Sequence, residues 1–124
     1  LKDDNFFIRA SFDLKLNELN DSLDIIKKFL KDRRIKQPTG LPSCGSVFKN
    51  PKNLYAGNLV DSLGLKGYRI GGAYISEKHA NFIITEKNAK SNDVEELISY
   101  IQKKVHEEKN IYLETEVQFI GIKQ

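Results

Sequence analysis

The sequence predicts an α+β domain: a small mixed or antiparallel sheet packed against about three helices. Three observations carry that expectation. Apolar residues recur at helical spacing in three stretches, and "SNDVEELISYIQKKVHEEKN" is the clearest of them. Short β-rich segments such as "NFIITE" and "EVQFIGI" lie between turn residues. Strands and helices do not alternate in the strict order that a parallel sheet requires.

Taken in chain order, residues 6–16 alternate, with Ile8, Ala10, Phe12, Leu14 and Leu16 on one side, so a half-buried strand is expected there. In the next stretch Leu19, Leu23, Ile26 and Leu30 fall on one face of a helix. Asn17 or Asn20 is suited to cap its start, Arg33 and Arg34 suit the negative end of its dipole, and Pro38 stops it. Residues 37–53 are punctuated by glycine and proline and read as loop. Leu59, Val60 and Leu63 then mark a short helix, with Gly64 as its C-terminal cap.

"YRIGGAYI" and "NFIITE" read as two strands joined by "SEKHA". Gly71 and Gly72 inside the first mark either a bulge or a close approach by a ligand or another backbone. In the third helix Ser91 or Asn92 is expected at the cap, with Glu95 completing a capping box with Asn92 or lying in the first turn. Val94, Leu97, Ile98, Ile101 and Val105 form its buried stripe. Strands are expected again around 111–113 and 117–122.

The bulk composition limits the function classes. The chain has 124 residues, enough for one domain with one core, and 30% of them are charged. Its net charge of +3 comes from lysines interleaved with acids, not from the dense basic stripe of a nucleic-acid binder. No run approaches the roughly 18 apolar residues of a membrane span. The single cysteine, Cys44, cannot close an internal disulfide, which favours a reducing compartment. Two histidines and one cysteine fall short of a metal-ligand pattern, so no metal site is expected. The chain begins with Leu and contains no Met, which reads as the C-terminal portion of a longer protein.

The loop "GSVFKNP" at 45–51 concentrates a hydroxyl, a cation and an amide. On its own Ser46 reads as a turn serine bonded to its own backbone. Its functional alternative is a proton donor held among cations and hydrogen-bond donors. Glu116 on its own reads as a surface acid on an edge strand. Lys36, Asn50 and Lys66 read as a solvated helix end, a pre-proline turn residue and a surface lysine. Lys49 reads as pointing to solvent.

Three blocks change that balance. "PSCGSVFKNP" (42–51), "GLKGYRIGGAYISEKHANFI" (64–83) and "ETEVQFIG" (114–121), in this order and spacing, resemble the C-terminal domain of the UDP-N-acetylenolpyruvoylglucosamine reductase family. The resemblance covers roughly residues 30–122, and the tight connection between the first two blocks is similar to the shorter, type II branch.

This resemblance implies a flavoenzyme of peptidoglycan precursor synthesis, and hence of cell-wall biogenesis, cell shape and division. NADPH reduces FAD, and the flavin N5 hydride passes to C3 of UDP-N-acetylglucosamine enolpyruvate, giving UDP-N-acetylmuramate. It implies that residues 1–16 are the tail of a preceding FAD-binding domain and 17–124 the substrate-binding domain. It gives Ser46 the proton delivered to C2, Glu116 the opposite face of the reacting carbon, and Lys36, Asn50 and Lys66 the substrate. A third catalytic group, an arginine, belongs to the FAD domain, so the 124 residues alone are expected to be inactive. A cytoplasmic, monomeric enzyme is implied, with no nucleic-acid or membrane partner. The chain departs from the family pattern at Thr115, where proline is frequent, at Gln118, where arginine is common, and at Cys44, a small-residue position. The alternative of another class is a non-catalytic module that holds a nucleotide or polyanion with Gly71, Gly72 and nearby lysines.

Overall fold

A computed structural model describes residues 8–15 and 19–121 of the chain. Its contacts divide the chain into Leu1–Lys31 and Asp32–Gln124. In the first unit, residues 8–15 carry neither helix nor strand, and Ile8, Phe12 and Leu14 are exposed. The alternation predicts a half-buried strand, and that expectation is corrected. A strand needs a ladder partner and a face to cover, and residues 8–15 have neither among the described residues; residues 6, 7 and 16 lie outside them.

Helix α1 spans Leu19–Lys36, with Arg33, Arg34 and Lys36 in its last turn. The helix forms where the period predicts it. Leu23, Ile26 and Leu30, however, are 42–52% exposed, so the apolar stripe is not core. The capping side chains expected at Asn17 or Asn20 lie outside the described ones.

The second unit holds the core. A four-stranded antiparallel sheet runs in the order β1-β4-β3-β2, with β1 at Ser43–Ser46, β2 at Arg69–Ile70, β3 at Ala73–Ile75 and β4 at Phe82–Thr85. Helix α2 covers Ala56–Ser62 and helix α3 Ser91–Lys109. Helix α3 lies against β2 and β3, and α2 against α3. Leu97, Ile98, Ile101 and Val105 of α3 are at most 2% exposed and join Val60, Ala73, Ile75 and Ile83 in one apolar cluster. Burying each of the larger side chains contributes about 1.5–3 kcal/mol. The predicted fold class is therefore the observed one: antiparallel, with three helices.

Several local expectations change. "YRIGGAYI" is not one strand but the hairpin of β2 and β3, with Gly71 and Gly72 as its two-residue turn. A Cβ on Gly72 would stand 2.6 Å from the Cα of Ala89, so the close approach is by another backbone. The start of α3 is satisfied by Asp93, not by Glu95. Its Oδ2 accepts the N–H of Lys90 at 2.9 Å and that of Gly72 at 3.0 Å, tying the hairpin turn to the helix. These two backbone hydrogen bonds hold the Asp93 carboxyl below its ordinary value. The strands expected at 111–113 and 117–122 reduce to an isolated antiparallel bridge between Phe48 and Thr115. Residue 122 lies outside the described residues.

Candidate active site

Gly45, the third residue of β1, has a left-handed φ of +85°, which costs glycine least, and the loop follows directly after Ser46. Pairing with β4 slips register between Ser43 and Ser46, which breaks the regular strand alternation just before the loop. Ser46 is half-buried, and among the described residues its hydroxyl takes part in no hydrogen bond, not even to its own backbone. Val47 and Phe48 then turn into the core, each 1% exposed.

The far end of the sequence returns to this loop. The N–H of Glu116 donates to the carbonyl of Val47 at 2.8 Å, and the N–H of Lys49 donates to the carbonyl of Glu114 at 2.9 Å. These bonds flank the Phe48–Thr115 bridge, so Thr115 does not use its own N–H in the ladder. A proline at that position would cost no ladder bond. The same pairing sets Ser46 and Glu116, far apart in sequence, on neighbouring strands of backbone. The Glu116 side chain is exposed, and Lys49 pairs with Glu114 instead of standing free in solvent.

The binding candidates fall into different places. Asn50 uses its Oδ1 to accept the N–H of Ala56 at 3.0 Å, so it caps the start of α2. Its amide N–H groups remain for a ligand. Lys66 is 2.7 Å from Asp61 and is less than a third exposed. Lys36, at the end of α1, is exposed and has no partner among the described residues. Contacts thus join Ser46, Glu116 and Asn50 to the segment 45–50 and its neighbours, while Lys66 pairs with Asp61.

The turn between β3 and β4, residues 76–81, reads from its residues as a connector between two strands, and it lies inside the second family-like block, 64–83. It reaches all three places. Lys78 donates to the carbonyl of Arg34, near Lys36, at 3.0 Å. His79 sits against α2, where a Cβ on Gly57 would be 3.2 Å from its Cε1. Burial holds the His79 imidazole below its ordinary value, and the charge of Lys66 pushes it further the same way. Its Nδ1 accepts the N–H of Asn81 at 3.2 Å, so the neutral ring carries its proton on Nε2. Asn81 reaches the main chain of Phe48. In the sequence this turn shows as a run of polar residues, "SEKHAN", between two apolar strands, inside the family-like block 64–83.

A groove of about 860 Å³ lies beside the loop, lined by Cys44, Thr115 and Val117 and by Val94, Ile98 and Gln102 of α3, among others. Ser46 and Glu116 are neighbours of that lining and not part of it. Partial burial pushes up the Cys44 thiol, which is therefore protonated at neutral pH. Among the described residues no cluster of three potential ligands could hold a metal, and no helix is long and apolar enough to cross a membrane.

Known proteins point the same way. A family profile described as the C-terminal domain of UDP-N-acetylenolpyruvoylglucosamine reductase matches residues 37–120. The reductase of that name from Caldicellulosiruptor bescii is 54% identical over 116 residues, covering 92% of this chain and 37% of the relative. The one from Fervidobacterium nodosum is 48% identical over 112 residues, covering 90% and 36%. The crystal structure of the Thermus caldophilus enzyme superposes with a TM-score of 0.68 at 38% identity, covering 84% of this chain and 37% of that one. The chain thus spans little more than a third of the length of these proteins. It belongs to the UDP-N-acetylenolpyruvoylglucosamine reductase family, within the part described by the family's C-terminal domain.

Proposed function

We propose that this chain is the substrate-binding part of an FAD-dependent reductase that converts UDP-N-acetylglucosamine enolpyruvate to UDP-N-acetylmuramate with NADPH. In this reading residues 1–16 end a preceding FAD-binding domain and 17–124 form the substrate domain. The starts of α2 and α3 do not fit the pyrophosphate of a flavin dinucleotide. The first N–H of α2 is taken by Asn50, and the start of α3 is occupied by the Asp93 carboxylate, which repels a pyrophosphate. FAD is therefore assigned to residues outside these elements. What this chain contributes is the chemistry of its own side chains.

The reaction leaves electron density at C2 beside a carboxylate, and that carbon needs a proton. Ser46 is assigned as the donor and Glu116 as the group that shares or relays a proton on the other side. Lys66 and Lys36 supply positive charge for a diphosphate, and Asn50 supplies amide N–H groups from a loop already anchored on α2. The observation that supports this best is the hydrogen bond from the Glu116 N–H to the Val47 carbonyl, which joins the two catalytic candidates through one residue of backbone.

The test is Ser46→Ala in the flavoenzyme. Flavin bleaching by NADPH should proceed as in the parent, while turnover of the enolpyruvyl substrate falls by about 10²–10⁴-fold. Normal turnover would remove Ser46 from this role.

A further inference from the structure

Asn81 is a polar residue that is only 4% exposed. Its side-chain Oδ1 accepts the N–H of Phe48 at 2.9 Å, and its Nδ2 donates to the carbonyl of the same residue at 2.9 Å. Both main-chain groups of Phe48 are thus satisfied by one side chain, as a neighbouring strand would satisfy them. The carbonyl of Asn81 also accepts the N–H of Val47 at 2.9 Å. Three bonds from one residue therefore fall on the two positions that follow Ser46. The opposite side of this segment carries the bond from Glu116 to Val47.

The geometry points to Asn81 as a positioning residue: its buried amide fixes the main chain of Phe48 and thereby sets where Ser46 stands relative to Glu116. This rests on the roles proposed above for those two residues. Only an amide of this length meets the demand. A carboxylate of the same shape would turn its second oxygen toward the Phe48 carbonyl, with no hydrogen to offer, and an aliphatic side chain would leave both Phe48 groups unpaired in the core.

The experiment is a cycle in the flavoenzyme with Ser46→Ala, Asn81→Asp and the double variant. Asn81→Asp should lower kcat about 10-fold or more with KM within about 2-fold, leave flavin reduction by NADPH unchanged, and speed hydrogen exchange across 46–50. In the Ser46→Ala background the same change should cost less than about 2-fold, because the group being positioned is gone. An unchanged kcat, or an equal loss in both backgrounds, overturns the positioning role while a slow Ser46→Ala variant upholds the Ser46 assignment. A fully active Ser46→Ala variant overturns that assignment and this inference with it. Should Asn81→Asp fail to fold, Asn81→Ser, which leaves room for a bridging water, is put through the same cycle with the same decisions.

Discussion

The end of β1, from which the loop emerges, and the turn between β2 and β3 both depend on a glycine with positive φ, yet for different reasons. Around Gly45 a Cβ would meet nothing within 4 Å. At Gly71 it would meet the Asp93 carboxylate at 2.5 Å, and at Gly72 the backbone of Ala89. The first loop is open on its glycine side and is held from elsewhere by Asn81. The turn is closed, with Asp93 and Ala89 filling the space a side chain would need. A loop that presents a hydroxyl gains from open surroundings, whereas a turn that docks on a helix gains from filled ones.

Substitutions test this contrast. Gly72→Ala should be the most damaging, since a backbone atom stands in the way. A loss of about 1–3 kcal/mol is expected, lowering the thermal midpoint by roughly 5–15 °C. An unchanged midpoint would mean that the Ala89 segment yields freely. Gly45→Ala has only backbone strain to overcome, about 1–2 kcal/mol, read as a shift in the urea midpoint. A larger loss would contradict the open surroundings.

Asp93→Asn should act through pH. The folded carboxyl is held below its unfolded value near 3.8, so its contribution is present above that value and is lost as pH falls through the lower folded one. The gap between parent and variant in urea midpoint should be clear at pH 6 and should close in acid below the folded value. A gap of constant size would assign the effect to shape alone. The smallest effect belongs to Glu114→Gln. Lys49 and Glu114 are 55% and 67% exposed, so losing their ion pair should cost under about 1 kcal/mol and nothing measurable in high salt.

How much is legible in the sequence follows from how local each feature is. The α3 stripe can be read because one period decides it, and the same period predicts α1 as a helix without saying what covers Leu23, Ile26 and Leu30. A Gly-Gly pair between β-rich residues is a recognised turn signal, yet reading "YRIGGAYI" as one strand hides the hairpin. The C-terminal strands are overestimated because β-favouring residues do not guarantee a partner, and only Thr115 finds one. Ser46 and Glu116 are named by a likeness to family motifs, not by spacing. The part played by Asn81 has no sequence signal, because it depends on contact with a residue 33 positions away.

The rings of Tyr68, beside β2, and Tyr100, on α3, stack face to face, 4.3 Å apart and 3° from parallel. The chain contains no tryptophan to mask them. Near-ultraviolet circular dichroism of the wild-type chain therefore offers a label-free optical gauge of whether the β2–β3 hairpin is seated on its helix.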